Sequence, residues 1–231
     1  MTKKQYFFIA LVILLASAMT YFYFNHDFSF LRPDKTTYTI DDFPDALKTM
    51  DEHILEISVA GLNKEYQKLS DQEKLSDQEK VYWIWIEIGI LKKRLGDFQG
   101  AEKAWQKARD IKPEHALSVG NLADLYLYRL ADYDKAEEYY EMVLVMNPYH
   151  YDYYYGLASL YRYNMTDKAH LIEDLMLEGA AKTPSSSEKG NFYVFLALYF
   201  ANEGNNMEKA KYYSEKTLEV YPGLKDQLPD L

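Results

Sequence analysis

Residues 96–113 read GDFQGAEKAWQKARDIKP, and in this stretch Ala101 lies twelve residues before Pro113. No other proline occurs in this stretch, and Pro113 is its last residue. This spacing recurs further along the chain, and a recurring unit of this kind is typical of repeat proteins. The two other copies are Ala136 with Pro148 and Ala210 with Pro222.

The closing prolines follow a nearly constant period. Those at positions 113, 148, 184 and 222 are separated by 35, 36 and 38 residues. A proline has no amide hydrogen to donate to the next helical turn, so each one is expected to end a helix. Only 7 prolines and 10 glycines occur among 231 residues, which favours helix over sheet between these breaks. The pattern predicts an all-α chain built from consecutive short helices.

These residues resemble the tetratricopeptide repeat (TPR), whose pattern is Trp-x2-Leu-Gly-x2-Tyr, then Ala-x3-Phe, then Pro. The first unit, residues 82–115, departs from it at Lys92, where the family prefers tyrosine. The other units are residues 116–150, 151–184 and 191–222. One residue is inserted near Leu130 in the second unit, and the second helix of the third unit is three residues longer than the pattern requires. The positions that match the pattern are Trp85, Gly89, Ala101, Trp105, Ala108, Pro113, Ala136, Tyr140, Pro148, Ala169, Pro184, Ala210 and Pro222.

The resemblance implies a right-handed superhelix of helix-turn-helix repeats, an α-solenoid, over residues 76–222. TPR proteins usually bind peptide segments of partner proteins in the concave groove, which the first helix of each repeat lines. Ile86 and Ile90 stand where a carboxylate-clamping groove would need polar residues. The groove is either open to partners or filled by the chain's own residues 43–69 or its tail, residues 223–231. The predicted groove residues are Trp83, Ile86, Ile90, Lys93, Leu117, Gly120, Asp124, Leu127, Asp152, Tyr155, Ser159, Arg162, Phe192, Phe195, Tyr199 and Asn202.

The N-terminus contains an apolar run that predicts a membrane anchor. Residues 6–24 have no charge, and 19 residues of helix span about 28 Å, enough to cross a bilayer core. Lys3 and Lys4 favour a cytoplasmic segment 1–5, which would put the rest outside the cytoplasm of a prokaryote. The alternative is a signal peptide cleaved near residues 16–18. Both alternatives export the domain.

Between anchor and repeats, residues 25–40 read as a linker and residues 41–75 as a helical segment. An apolar stripe is expected on one helix capped by Asp42, with an interruption or bend at Gly61. This helix is expected either to pack on the repeats or to form a membrane-proximal coiled coil. The Ser-x-x-Glu of residues 76–79 predicts a capping box for the first repeat helix. The stripe consists of Phe43, Leu47, Met50, Ile54 and Ile57.

No motif for catalysis, cofactors or metals is present. The chain has no cysteine, its five histidines are dispersed, and it has no phosphate-binding glycine loop. A net charge of −10 disfavours nucleic acid. We therefore expect a non-catalytic protein-interaction module or scaffold. The alternative is a glycan-binding protein that uses the tyrosines of residues 149–163.

Overall fold

The computed structural model describes residues 35–71, 77–203 and 206–231. Throughout these ranges the chain is helical, with turns and short loops and no strand. The predicted anchor of residues 6–24 lies outside the described residues. Within them, none of the helices has the length and apolar character that a membrane crossing requires.

Ten α-helices follow one another, and consecutive helices pack against each other along the whole described chain. This arrangement agrees with the all-α prediction and is compatible with an α-solenoid. The helices are α1 Pro44–Thr49, α2 Glu52–Asp71, α3 Gln78–Arg94, α4 Phe98–Ile111, α5 Ala116–Leu125, α6 Tyr133–Met146, α7 Tyr151–Tyr163, α8 Ile172–Lys182, α9 Ser186–Asn202 and α10 Met207–Val220.

The prolines end helices in a uniform way. Helices α4, α6, α8 and α10 each stop two residues before the proline that closes the unit. The residue between has left the helical conformation, with ψ of 79° at Lys112 and 132° at Thr183. A residue that precedes proline is pushed out of the α region by contact with the proline ring. The period read from the sequence is therefore the period of the helix ends.

Each predicted unit contains a pair of helices held together by close contact. Gly89 of α3 faces Trp105 of α4, and a Cβ atom built on Gly89 would lie 2.2 Å from the indole nitrogen. Trp105 is fully buried, and its Nε1 donates to the carbonyl oxygen of Ile86 at 3.2 Å. A large ring on one helix thus fills the space that the missing side chain leaves on its neighbour, which fixes how α3 and α4 pack.

Three of the four second helices start with similar caps, the exception being α8. Asp97 accepts a hydrogen bond from the amide of Gly100 at 2.8 Å, and Asp132 and Asn206 do the same for α6 and α10. These caps satisfy amides that have no partner inside the helix. Helix α3 is capped by Asp77, whose Oδ1 accepts from the amide of Lys80 at 3.1 Å. The predicted capping box on Ser76 is wrong by one residue, and Ser76 itself lies outside the described residues.

The apolar stripe predicted for residues 43–57 is wrong at Leu47, Ile54 and Ile57, whereas Phe43 is buried and Met50 is half-buried. The chain leaves the helical conformation at Met50, so α1 and α2 are separate helices, and α2 runs through Gly61 without interruption. Ile57 is 57% exposed, and Leu47 and Ile54 are exposed as well. A stripe drawn across a helix break mixes two phases, which is why it selected outward-facing side chains. The residues of α2 that are buried are Leu55, Ser58, Val59, Leu62, Tyr66 and Leu69.

The predicted Asp42 cap is also wrong. Helix α1 starts after Phe43 without a side-chain cap. The Asp42 carboxylate turns back and accepts from the amide of Thr39 at 2.8 Å, and it pairs with Lys35. Lys35 belongs to the last part of the predicted linker, and its ion pair with Asp42 holds this part against the helical segment.

Both ends of the described helices are covered by adjoining chain. At the N-terminal end, Tyr38 exchanges two hydrogen bonds with the side chain of Asn63, at 2.7 and 2.8 Å, and stacks on Tyr66. Helix α2 packs against α3. At the C-terminal end, a 3₁₀ turn over Pro222–Gln227 buries Leu224 against Gly190 of α9. Both segments extend the stack of helices at its ends.

The extra residues of the second and third units are absorbed by non-α turns. A π-helical turn over Tyr126–Leu130 follows α5, and Ala131 then has φ of 52°. A 3₁₀ turn over Thr166–Leu171 precedes α8. A π turn accommodates one additional residue in a helix, which matches the insertion near Leu130 in the sequence.

Candidate interaction surface

Helices α3, α5, α7 and α9 lie side by side and share one surface, which we call the first-helix face. Between α5 and α7, the ring of Tyr153 rests on Gly120, where a Cβ atom would lie 2.4 Å from the ring. Between α7 and α9, Tyr155 meets Phe195 edge to face at 5.7 Å. At the α3–α5 boundary, the hydroxyl of Tyr82 lies 2.9 Å from His115 Nδ1.

The predicted groove residues divide into three groups by exposure. Trp83, Asp124, Asp152, Tyr155 and Asn202 are exposed, with Trp83 at 41% and Tyr155 at 44%. Ile90, Lys93, Leu117, Arg162 and Tyr199 are half-buried. The remaining six are closed between neighbouring helices and are not accessible to a ligand. They are Ile86, Gly120, Leu127, Ser159, Phe192 and Phe195.

The residues that match the repeat pattern mostly lie in the core. Ala169 is half-buried in the 3₁₀ turn before α8, and the four prolines lie outside the core. The members of the set that are buried are Trp85, Gly89, Ala101, Trp105, Ala108, Ala136, Tyr140 and Ala210.

Tyr128 belongs to the first-helix face, and helical spacing alone did not select it. Regular spacing along α5 predicted Leu127, which is buried, while Tyr128 is 54% exposed. Both residues lie in the π turn, which changes the angular position of every residue after Tyr126. The inserted residue near Leu130 was the signal in the sequence that regular spacing would fail here.

Asp124 lies at the centre of the first-helix face and has an unusual environment. The hydroxyl of Tyr140, a buried residue of α6, donates to Asp124 Oδ1 at 2.6 Å. Although the residue is partly exposed, the loss of water around its carboxyl raises the pKa of Asp124 above its ordinary value. The hydrogen bond from Tyr140 and the charge of Lys93 oppose this pKa increase, and the charge of Asp152 adds to it. The carboxylate is therefore less stable as an anion than an ordinary surface aspartate.

Arg162 is committed to a partner within the chain. Its Nε donates to Glu203 Oε2 at 2.5 Å and its NH2 group donates to Oε1, which joins α7 to the end of α9. The guanidinium also lies 5.9 Å from the ring centroid of Tyr199. The Glu203 hydrogen bonds raise the pKa of Arg162. The charge of Arg162 is therefore paired with that of Glu203.

Trp83 is held in one orientation although its ring is exposed. Its Nε1 donates to Glu79 Oε1 at 2.7 Å, and its ring meets the His115 ring edge to face at 5.6 Å. An exposed ring whose N–H is already satisfied presents an apolar surface with little conformational entropy to lose on binding. The first-helix face thus has a row of aromatic rings, formed by Trp83 on α3, Tyr128 in the π turn after α5, Tyr155 on α7 and the half-buried Tyr199 on α9.

Across residues 35–71, 77–203 and 206–231, no three histidine, aspartate or glutamate side chains come together as metal ligands. His115 packs its ring against the rings of Tyr82 and Trp83. Models of known protein families give no match to the chain, and no curated protein is detectably similar to it.

Proposed function

We propose that this protein is a non-catalytic interaction module of the tetratricopeptide-repeat type that binds a segment of a partner protein on the first-helix face. The observation behind the proposal is the row of aromatic rings on the first-helix face, which runs from α3 through the π turn after α5 to α7 and α9. Aromatic residues are enriched in protein interfaces because each buries a large area at a low entropic cost. The ring at the centre of the row is Tyr128, beside Asp124.

The charges on the first-helix face indicate which charge the proposed partner segment carries. The charges of Asp152 and Lys93 both act on Asp124, the first raising and the second lowering its pKa. A segment that brings a lysine or arginine to the two aspartates would relieve the unfavourable environment of Asp124. We therefore expect a partner segment with apolar side chains around a central basic residue.

The proposal includes a membrane tether at residues 6–24. A tether restricts the array and its partner to a thin layer, which raises the effective concentration of each for the other. The tether is supported by the uncharged run in the sequence. Carbonate extraction of membranes tests it, because a spanning segment keeps the full-length chain in the pellet, whereas a cleaved signal peptide releases a shorter chain.

Glycan binding is the second candidate, and the tyrosines of residues 149–163 are the relevant observation. Tyr149 and Tyr163 are exposed, whereas Tyr154 and Tyr161 are buried. Tyr155 is exposed as well, but it lies on the first-helix face and meets Phe195 edge to face. Tyr149 and Tyr163 lie near opposite ends of α7, whose 13 residues are about 20 Å long, so these two rings do not form one stacking platform for a sugar.

Site-specific photocrosslinking in native membranes tests the proposed interface. A photoreactive residue at Trp83, Tyr128 or Tyr155 should label one common partner. The matched controls are Tyr149 and Tyr212, which are equally exposed but lie off the first-helix face, on the α6–α7 loop and on α10. Equal labelling of that partner from the control positions would refute the first-helix face as the interface.

A further inference from the structure

Three glutamates occupy the same position in successive units. Glu102, Glu137 and Glu173 each lie eleven residues before the proline that closes their unit. They belong to α4, α6 and α8, and all three are half-buried. The repeat pattern leaves this position open to any residue, and in the fourth unit it is Lys211. We call the three glutamates the junction carboxylates, because each is bonded to the unit that follows it.

In the first two junctions, the donor is a tyrosine near the end of the first helix of the following unit. The hydroxyl of Tyr126 donates to Glu102 Oε1 at 2.5 Å, and that of Tyr161 donates to Glu137 Oε1 at 2.7 Å. The two tyrosines lie 35 residues apart and are buried. Burial and the hydrogen bond to the carboxylate raise the pKa of both hydroxyls, so each stays protonated and acts as the donor.

The third junction has the same hydrogen bond from a different tyrosine. Phe200 lies 22 residues before its proline, as Tyr126 does, but it has no hydroxyl. Tyr213 of α10 stacks on the Phe200 ring at 5.9 Å and donates to Glu173 Oε1 at 2.6 Å. All three junctions therefore contain a tyrosine hydroxyl bonded to the carboxylate of the preceding unit.

A lysine completes the second and third junctions. Lys168 Nζ donates to Glu137 Oε2, and Lys209 Nζ donates to Glu173 Oε2, so each carboxylate accepts from the following unit on both oxygens. The side chain of Glu137 is only 17% exposed, so water and salt screen its ion pair less than a pair on the surface. Charge-assisted hydrogen bonds depend on direction as well as distance, whereas apolar contacts are non-directional. The junction carboxylates therefore fix how one unit sits on the next.

We propose that the junction carboxylates couple the stability of neighbouring units, so that the array responds as one body and not as separate pairs of helices. In a repeat array such coupling comes from the interfaces, because each unit contacts only its neighbours. Glu137 lies at the middle junction, with Trp83 and Tyr128 of the first-helix face before it and Tyr155 and Tyr199 after it. A partner bound to one half of this row would thereby stabilise the other half. The coupling itself does not depend on the first-helix face having a partner.

The test uses the three tryptophans of the chain as a local probe. Trp83 and Trp85 lie in α3 and Trp105 lies in α4, so tryptophan fluorescence reports on the first unit. The distant perturbation is Ala210→Gly, which weakens the fourth unit in the core of α10. Urea unfolding of the full-length chain in dodecylmaltoside micelles is followed by this fluorescence. Ala210→Gly should lower the fluorescence midpoint by about 0.5 M urea, because a coupled array unfolds in one transition.

The same perturbation is then repeated in variants of the middle junction. In the Glu137→Ala background, Ala210→Gly should no longer move the fluorescence midpoint, because the change in the fourth unit does not reach the first. Glu138→Ala, at the adjacent exposed position of α6, is the matched control and should transmit the full shift. Tyr161→Phe removes only the hydroxyl and serves as the second variant, which should transmit a reduced shift.

Each outcome bears on the coupling. A shift that is lost with Glu137→Ala and kept with Glu138→Ala supports the proposal. Equal shifts in the wild-type and Glu137→Ala backgrounds overturn it, as does the absence of a shift in wild type or its loss with Glu138→Ala. If Glu137→Ala does not fold, Tyr161→Phe decides, because a reduced shift supports the proposal and a full shift overturns it.

Discussion

Asp97 binds two parts of the chain at once. Its Oδ2 accepts from Lys92 Nζ at 2.6 Å, and its Oδ1 accepts from the amide of Gly100 at 2.8 Å. Lys92 is only 7% exposed, and Tyr38 of the N-terminal segment covers it. The lysine that departs from the repeat pattern is therefore the point at which the N-terminal segment, α3 and the cap of α4 meet.

We expect Asp97→Ala to lower the free energy of unfolding by about 3 kcal/mol. Loss of the cap contributes about 1 kcal/mol, and the nearly buried ammonium of Lys92 loses its counter-ion. Urea denaturation followed by circular dichroism measures the change. Asp132→Ala is the matched control, because Asp132 caps α6 in the same way but pairs with an exposed lysine, and it should cost only about 1 kcal/mol.

Replacing Lys92 as well separates the contribution of the helix cap from that of the ion pair. In the double variant of Asp97→Ala with Lys92→Met, no buried charge remains, so part of the lost stability should return. A double variant that is less stable than Asp97→Ala alone would show that the ion pair is not the cause.

Gly89→Ala should destabilise the protein by about 2 kcal/mol, because the new methyl group displaces the buried ring of Trp105. The same substitution at Gly61, also inside a helix, meets only Leu91 at 3.6 Å and should stabilise by up to about 1 kcal/mol. Denaturation midpoints of the two variants are expected on opposite sides of wild type. Similar midpoints would mean that the α3–α4 contact is looser than 2.2 Å implies.

Ala131→Gly should stabilise the protein by roughly 0.5–1 kcal/mol. Ala131 has φ of 52°, and Gly96 has φ of 79° at the corresponding position of the preceding unit, before the capping aspartate. Glycine adopts this left-handed conformation without the steric cost that a Cβ atom adds. The control is Ala60→Gly in the middle of α2, which should cost about 1 kcal/mol. Thermal unfolding distinguishes the two signs, and a loss of stability at Ala131 would contradict the strained turn.

Asp124→Asn should stabilise the protein near neutral pH and have little effect in acid. The pKa of the folded Asp124 is raised above the ordinary value of 3.8, so folding favours its protonated form. The stability that this carboxyl contributes is fully present below pH 3.8 and is lost as pH rises through the folded pKa. Asparagine does not ionise and avoids this loss, while its amide oxygen still accepts from Tyr140.

Urea denaturation of wild type and Asp124→Asn between pH 3 and 7 measures this difference. Glu138→Gln, at an exposed position of α6, is the control for replacing an acid by its amide. A difference for Asp124→Asn that shrinks as pH rises would contradict a raised pKa.

The sequence by itself determined where the helices of the repeats lie. Proline spacing gave the ends of α4, α6, α8 and α10 because the effect of proline is local: it removes a donor and restricts its predecessor. Small and large apolar residues in the repeat pattern identified the core, as at Gly89 and Trp105. Both kinds of signal depend on one helix or on one pair of adjacent helices.

Only the tertiary structure decided which side of each first helix stays open. Ile86 and Phe195 satisfy the spacing for an exposed stripe, but neighbouring helices cover them. Tyr128 is accessible because a π turn shifts it, and Tyr38 is folded onto Lys92 although it lies in a predicted linker. Helical periodicity defines a buried face for one helix. A first helix also buries a second stripe of residues against its neighbours. Which residues belong to this stripe depends on the distances between helices, and the spacing of residues along one segment does not contain that information.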